Sequence, residues 1–146
     1  MVAGFREMRL ATGSSRLLLF VAGAFNLAAA LILVVLARVA PNVLAVDPLS
    51  GSQLLYVDLA AWLVVGFGIG YLLAGKDLAR FWPIIALGVV GKAGVAILAF
   101  AYFLAGLTGP LVILLASCDA LFAILFVRLL RAHATALAHD PQVRHR

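Results

Sequence analysis

The sequence predicts an all-α fold: a single bundle of four antiparallel transmembrane helices, with both chain termini in the cytoplasm. Three observations predict it. Of 146 residues, 66% are hydrophobic and only 12% are charged, and mean hydropathy is +1.17. A soluble domain carries about twice that charged fraction, because its surface must be wet. The apolar residues gather into four runs, roughly 17–37, 54–74, 83–104 and 111–127. The basic residues fall between those runs, and nearly all of them fall on one side.

The first run has basic residues before it and about 21 apolar positions, longer than the 7–15 of a secretory signal's apolar stretch. It is therefore expected to span the membrane, which takes about 20 helical residues for a hydrocarbon core of about 30 Å. The segment 42–52, with Pro48, Ser50, Gly51 and Ser52, is turn-forming and polar and belongs outside the membrane. The second run follows, and Gly75-Lys76-Asp77 is expected to form a tight turn into the third. Pro83 stands near the start of that third run, where its missing N–H costs little. Gly106 to Pro110 separates the third and fourth runs. The fourth is shorter, and Leu107, Leu129 and Leu130 extend it. Residues 128–146 are expected to continue as a cytoplasmic helical extension ending in a short tail from Asp140. His139 and His145 are read there as solvated residues. The whole chain, 1–146, is one membrane domain, and its short connections force neighbouring helices to be antiparallel.

Orientation follows from lysine and arginine. Arg6, Arg9, Arg16, Lys76, Arg80, Arg128, Arg131, Arg144 and Arg146 make nine of the eleven basic residues on one side. Only Arg38 lies on the other, and Lys92 is inside a span. Basic loops stay in the cytoplasm. Tyr56 and Tyr102 are expected at the outer interface, and Tyr71, Phe81 and Trp82 at the inner one. The net charge of +5 is therefore a topological signal. It does not indicate a nucleic-acid partner, which would need a basic patch on a soluble domain. The lone cysteine, Cys118, rules out an intrachain disulfide, a CxxC pair and a cysteine zinc site, and is read as a small packing residue.

Each span holds one strongly polar side chain: Asn26, Asp58, Lys92 and Asp119 in turn. A charge at mid-bilayer costs at least about 2.5–3.5 kcal/mol, so such groups face the bundle interior and pair. At 1.5 Å per residue, Asn26 and Lys92 lie roughly 13 Å from the cytoplasmic ends of their spans, and Asp119 roughly 12 Å from its outer end. Asp58 is only about 6 Å below the outer surface. Lys92 is thus expected to pair with Asp119 in the core, with Asn26 hydrogen-bonded nearby and Asp58 at the mouth. Trp62, four residues after Asp58, shares its helix face one turn deeper. Gly88, Gly91 and Gly94 flank Lys92, and Gly66 and Gly70 form a GxxxG contact motif. A faint internal symmetry accompanies this, with 66 residues from Asn26 to Lys92 and 61 from Asp58 to Asp119. Two related hairpins would place a site at their interface.

Phe25-Asn26 in the first span, Gly-Tyr-Leu-Leu-Ala-Gly-Lys-Asp-Leu-Ala-Arg at 70–80, Ala-Leu-Gly-Val-Val-Gly-Lys at 86–92 and the fourth-span Asp119 together resemble small four-helix bacterial membrane proteins of the DoxX-like type. The resemblance covers about residues 16–130. It implies a bacterial inner-membrane helical bundle and brings no catalytic motif with it.

Two carboxylates facing one ammonium would leave a net negative site in lipid. That excess favours a cluster of Asn26, Asp58, Trp62, Lys92 and Asp119 that binds or conducts a small ligand, a cation or a proton. Transport through so narrow a bundle would call for a homodimer. A Lys–Asp pair with an Asn also serves simply as hydrogen-bonding glue between helices. The alternatives are an accessory subunit packed into a larger membrane complex, and an enzyme acting on a lipid-soluble substrate. Against the enzyme, the spans contain no histidine and the chain has no HExxH, G-x-S-x-G or paired-cysteine motif. No catalytic residue, metal ligand set or cofactor is implied, and the partners expected are membrane lipids.

Overall fold

The computed structural model describes the backbone of residues 2–44 and 48–138 and the side chains of 13–44 and 48–135. The tail with His139 and His145 lies outside the described residues. Among those described, all regular structure is helical. Helix α1 spans Val2–Val39, α2 Gly51–Lys76, α3 Leu78–Leu104 and α4 Pro110–Ala138, with a short 3-10 turn at Pro41–Leu44 after α1. All four helices are long and apolar enough to cross a membrane. At 38 residues, α1 reaches about 57 Å, well beyond a hydrocarbon core of about 30 Å.

The helix ends show how the chain turns. Ser50 precedes α2, and its backbone N–H donates to Gln53 Oε1 at 2.8 Å, satisfying a donor in the manner of a capping box. The second turn is tighter than the expected Gly75-Lys76-Asp77, because Gly75 and Lys76 are still in α2. Asp77 alone makes it: its N–H closes α2 on Leu73 O at 3.1 Å, and its Oδ1 accepts the Arg80 N–H at 3.1 Å to open α3. An N-cap acceptor there moves the start of α3 back to Leu78, which leaves Pro83 inside the helix. As the sixth residue of α3, Pro83 lies past the four free N–H groups of the helix start. It therefore removes the backbone bond to Ala79 O, and its missing N–H is not cost-free as expected. After α3, Gly106 adopts φ +72°. Its N–H bonds Phe103 O and that of Leu107 bonds Tyr102 O, both at 2.9 Å. This is the Schellman arrangement, which a side-chain-bearing residue at position 106 would strain.

Helices α1 and α2 form one closely packed pair and α3 and α4 another, while α1 and α4 scarcely meet. Gly23 and Gly68 let α1 and α2 touch backbone to backbone: a Cβ on Gly68 would lie 3.1 Å from Gly23 O, and one on Gly23 2.9 Å from Gly68 O. The expected GxxxG pair behaves differently. Gly66 faces open space, and Gly70 abuts Ile84 of α3. Arg16 Nε donates to Gly75 O at 3.2 Å, so the beginning of the first span and the end of the second lie together with their basic residues. This basic end of the bundle is closed by a core of Leu19, Ala22, Tyr71, Ala74, Ile85, Phe122, Phe126 and Leu129. Tyr71 belongs to that core with 1% exposure rather than to an interfacial belt. Its ring sits where Gly88 leaves room: a Cβ there would lie 2.5 Å from the Tyr71 hydroxyl. Tyr56, Trp82 and Tyr102 are exposed.

Candidate functional site

The structure brings three of the five candidate residues together at mid-bundle. Lys92 of α3 is 5% exposed. Its Nζ donates to Asn26 Oδ1 of α1 at 2.9 Å and forms a hydrogen-bonded ion pair with Asp119 Oδ1 of α4. Asn26 Nδ2 reaches Val64 O of α2 at 3.4 Å. All four helices thus contribute to one polar layer. The pair lies far enough from water that each charge depends on the other, because an isolated buried charge would be strongly unfavourable.

The ammonium is also collared by aromatic faces. Ring centroids of Phe122, Phe25 and Tyr71 lie 5.2, 5.4 and 5.6 Å from Lys92 Nζ. Phe25 packs on Phe122 at 5.4 Å, and Tyr71 meets Phe126 edge-on at 5.0 Å. A cation near a ring face is attracted by its quadrupole, and the attraction grows where water is excluded. Sequence reasoning passed over this collar, although Phe25 adjoins Asn26 and Phe122 lies three residues from Asp119, one helical turn away. Apolar residues in an apolar span are not distinctive, so only the pairing of helices marks them.

The remaining two candidates are elsewhere. Asp58 lies at the far end of the bundle, where Arg38 holds it with both carboxylate oxygens, at 2.7 and 2.8 Å. Arg38 also donates to Val34 O at 3.0 Å. Both side chains are partly exposed, in contrast to the Lys92–Asp119 pair. The expected surplus carboxylate therefore disappears, since each acid has its own base. Trp62 is 74% exposed and points away from the bundle. A shared helix face with Asp58 puts it on the outside because Asp58 itself is not interior.

Beyond the polar layer, toward the Arg38–Asp58 end, the four helices enclose a cavity of about 420 Å³. Asn26, Lys92 and Asp119 form its polar floor with Phe25, Phe67 and Tyr71 beside them. Small residues such as Ala30, Ala60, Ala99 and Ala116 line the walls and leave the space that larger side chains would fill. Leu44 of the 3-10 turn is buried and closes the far side. Leu63 of α2 and Val95 of α3 line the cavity and are 67% and 49% exposed, so the cavity is not sealed from its surroundings. Among the described residues no group of histidine, cysteine or carboxylate side chains is placed to hold a metal ion.

Comparison of the chain with protein-family models, with curated proteins and with solved structures yields no match.

Proposed function

We propose that this chain is a multi-pass protein of the bacterial inner membrane, an antiparallel four-helix bundle with cytoplasmic termini, that binds a small lipid-soluble molecule in its mid-membrane cavity. The single observation carrying this is the cavity itself, apolar-walled and floored by Asn26, Lys92 and Asp119. A few convergent polar groups in an otherwise apolar pocket of this size are the usual form of a small-molecule site. The antiparallel arrangement is supported by contacts that run in opposite order along α1 and α2: Arg16 with Gly75, Asn26 with Val64, Arg38 with Asp58. The cytoplasmic placement of the termini rests on the positive-inside rule, and the bacterial setting on the resemblance to DoxX-like proteins.

The electrostatics favour a neutral, largely apolar ligand over a cation. Asp119 is already neutralised by Lys92, so a cation would have to displace an ammonium held by a carboxylate and an amide. A hydrocarbon body suits the walls, and one polar group suits the floor. The exposure of the cavity-lining Leu63 and Val95 favours access from the acyl-chain layer without passage through water.

Solvent extraction of protein purified in mild detergent, followed by mass spectrometry, tests the proposal. Wild type is expected to release a lipid-soluble molecule in near-stoichiometric amount. Ala116→Phe, which fills the cavity, and the double variant Lys92→Met/Asp119→Asn, which removes the charged floor, should each retain at least about tenfold less, equivalent to 1.4 kcal/mol of binding. Equal recovery from all three proteins would sink the proposal.

A further inference from the structure

We propose that Lys92 is a carbonyl-reactive amine that holds a lipid-soluble aldehyde as a Schiff base, with the aldehyde's tail in the cavity. The proposal deepens the ligand-binding function above and rests on it. Its basis is the juxtaposition of a cavity-lining primary amine, an adjacent carboxylate and an aromatic collar at the closed end of an apolar chamber. A lysine in such a desolvated setting can serve as a nucleophile toward carbonyl carbon.

Asp119 is placed for every proton step. It accepts a proton from the Lys92 ammonium and leaves a neutral amine. The nitrogen lone pair attacks the aldehyde carbon, a C–N bond forms, and the carbonyl π pair moves to oxygen, which takes the proton back from Asp119. Asp119 then removes a proton from the nitrogen and delivers it to the new hydroxyl. Water departs as the nitrogen lone pair closes the C=N bond. The products are a protonated imine, an ionised Asp119 and one water, so atoms and charge balance with no oxidant or reductant.

The same surroundings suit the product. The imine N–H remains against the Asp119 carboxylate as its counter-ion, the arrangement by which embedded ligand cations are held in membranes. The faces of Phe25, Tyr71 and Phe122 stabilise the delocalised cation and keep away the water that would hydrolyse it. Asn26 Oδ1 holds the amine toward the floor before reaction. Above that floor the cavity reaches Leu33, Ala99 and Val112, each seven residues along its helix from the polar layer, or about 10 Å. That distance accommodates a medium-length aliphatic or polyene tail.

The chain has two lysines, Lys76 and Lys92, and Lys76 is exposed at the end of α2, so it serves as an internal control. The full-length protein in mild detergent is treated with octanal and sodium cyanoborohydride, and the reduced N-octyl adducts are located by peptide mass spectrometry. Labelling of Lys92 is expected to exceed that of Lys76 by about tenfold or more, because the bound aldehyde is held beside the amine. Ala116→Phe should abolish the Lys92 adduct and leave the Lys76 adduct unchanged. Adducts at Lys76 alone, or Lys92 labelling that Ala116→Phe does not change, would overturn the Schiff base. Thermal stabilisation by octanal is read in parallel. If octanal stabilises wild type but not Ala116→Phe and Lys92 stays unlabelled, the binding proposal stands and the covalent one falls. If octanal neither stabilises nor labels at Lys92, and extraction releases no bound molecule, both fall.

Discussion

The two halves of this bundle are built from the same kinds of residue and packed to opposite ends. At the basic end, Leu19, Ala22, Tyr71, Ile85, Phe122 and Phe126 close all four helices into a packed core. At the other end, alanines and partly exposed leucine and valine stand around a cavity of about 420 Å³. The Asn26–Lys92–Asp119 layer marks the boundary. Each half also has its own ion pair geometry: Lys92–Asp119 is sealed at the boundary, while Arg38–Asp58 stands partly exposed at the far end. In lipid, tight packing is the main force holding helices together, because hydrocarbon outside competes equally with hydrocarbon inside. A half left hollow gives up that attraction. The closed half must therefore carry stability, and the hollow half is free to admit something else.

The largest effect expected is at the boundary. Lys92→Met alone should cost at least about 3 kcal/mol in detergent unfolding, because Asp119 is left buried without a partner. Adding Asp119→Asn should recover most of it. If Asp119→Asn by itself leaves stability unchanged or raised, the charge is kept for a purpose other than folding. The contrast between the halves is sharpened by a matched pair of substitutions. Ala22→Phe, in the closed half, should cost about 3 kcal/mol through overpacking. Ala116→Phe, facing the chamber, should change stability by less than about 1.5 kcal/mol. Similar losses at both positions would break the comparison.

Helix contact gives a smaller and equally specific difference. Gly68→Ala should lower stability by about 1–3 kcal/mol, since its Cβ meets a backbone carbonyl that cannot move aside. Gly66→Ala, with nothing within 4 Å, should leave stability unchanged or raise it by up to about 1 kcal/mol. A small effect is also expected at the far end. Asp58→Asn removes a partly exposed pair and should cost no more than about 1 kcal/mol, measured by the same unfolding curves. A loss comparable to that of Lys92→Met would mean that Asp58 is more than a surface partner.

The polar layer was legible in the sequence because a charged residue in an apolar span is conspicuous and its depth follows from the helix rise. That logic found Lys92, Asp119 and Asn26 together. It also set Asp58 near the outer end, apart from the core pair, but depth says nothing of direction. It missed that Arg38 at the same end takes Asp58 and that Trp62 on the same face points outward. The small-residue contacts were misjudged for a related reason. Gly66 and Gly70 carry a familiar spacing, yet the α1–α2 contact uses Gly23 and Gly68. Which side of a helix faces its neighbour depends on how that helix is rotated.

By itself, the sequence determined that this protein is helical, that four segments are long and apolar enough for a bilayer, and that three polar groups share one depth. Each of these depends on composition and rise per residue, which are properties of a single helix. Only the tertiary structure decided that Phe25, Tyr71 and Phe122 surround the Lys92 ammonium, that Arg38 rather than Lys92 takes Asp58, and that a chamber opens above the layer. Those features depend on helix rotation and spacing. They emerge only when backbones meet at Gly23 and Gly68 and the rings of Tyr71, Phe122 and Phe126 fill one half while leaving the other hollow.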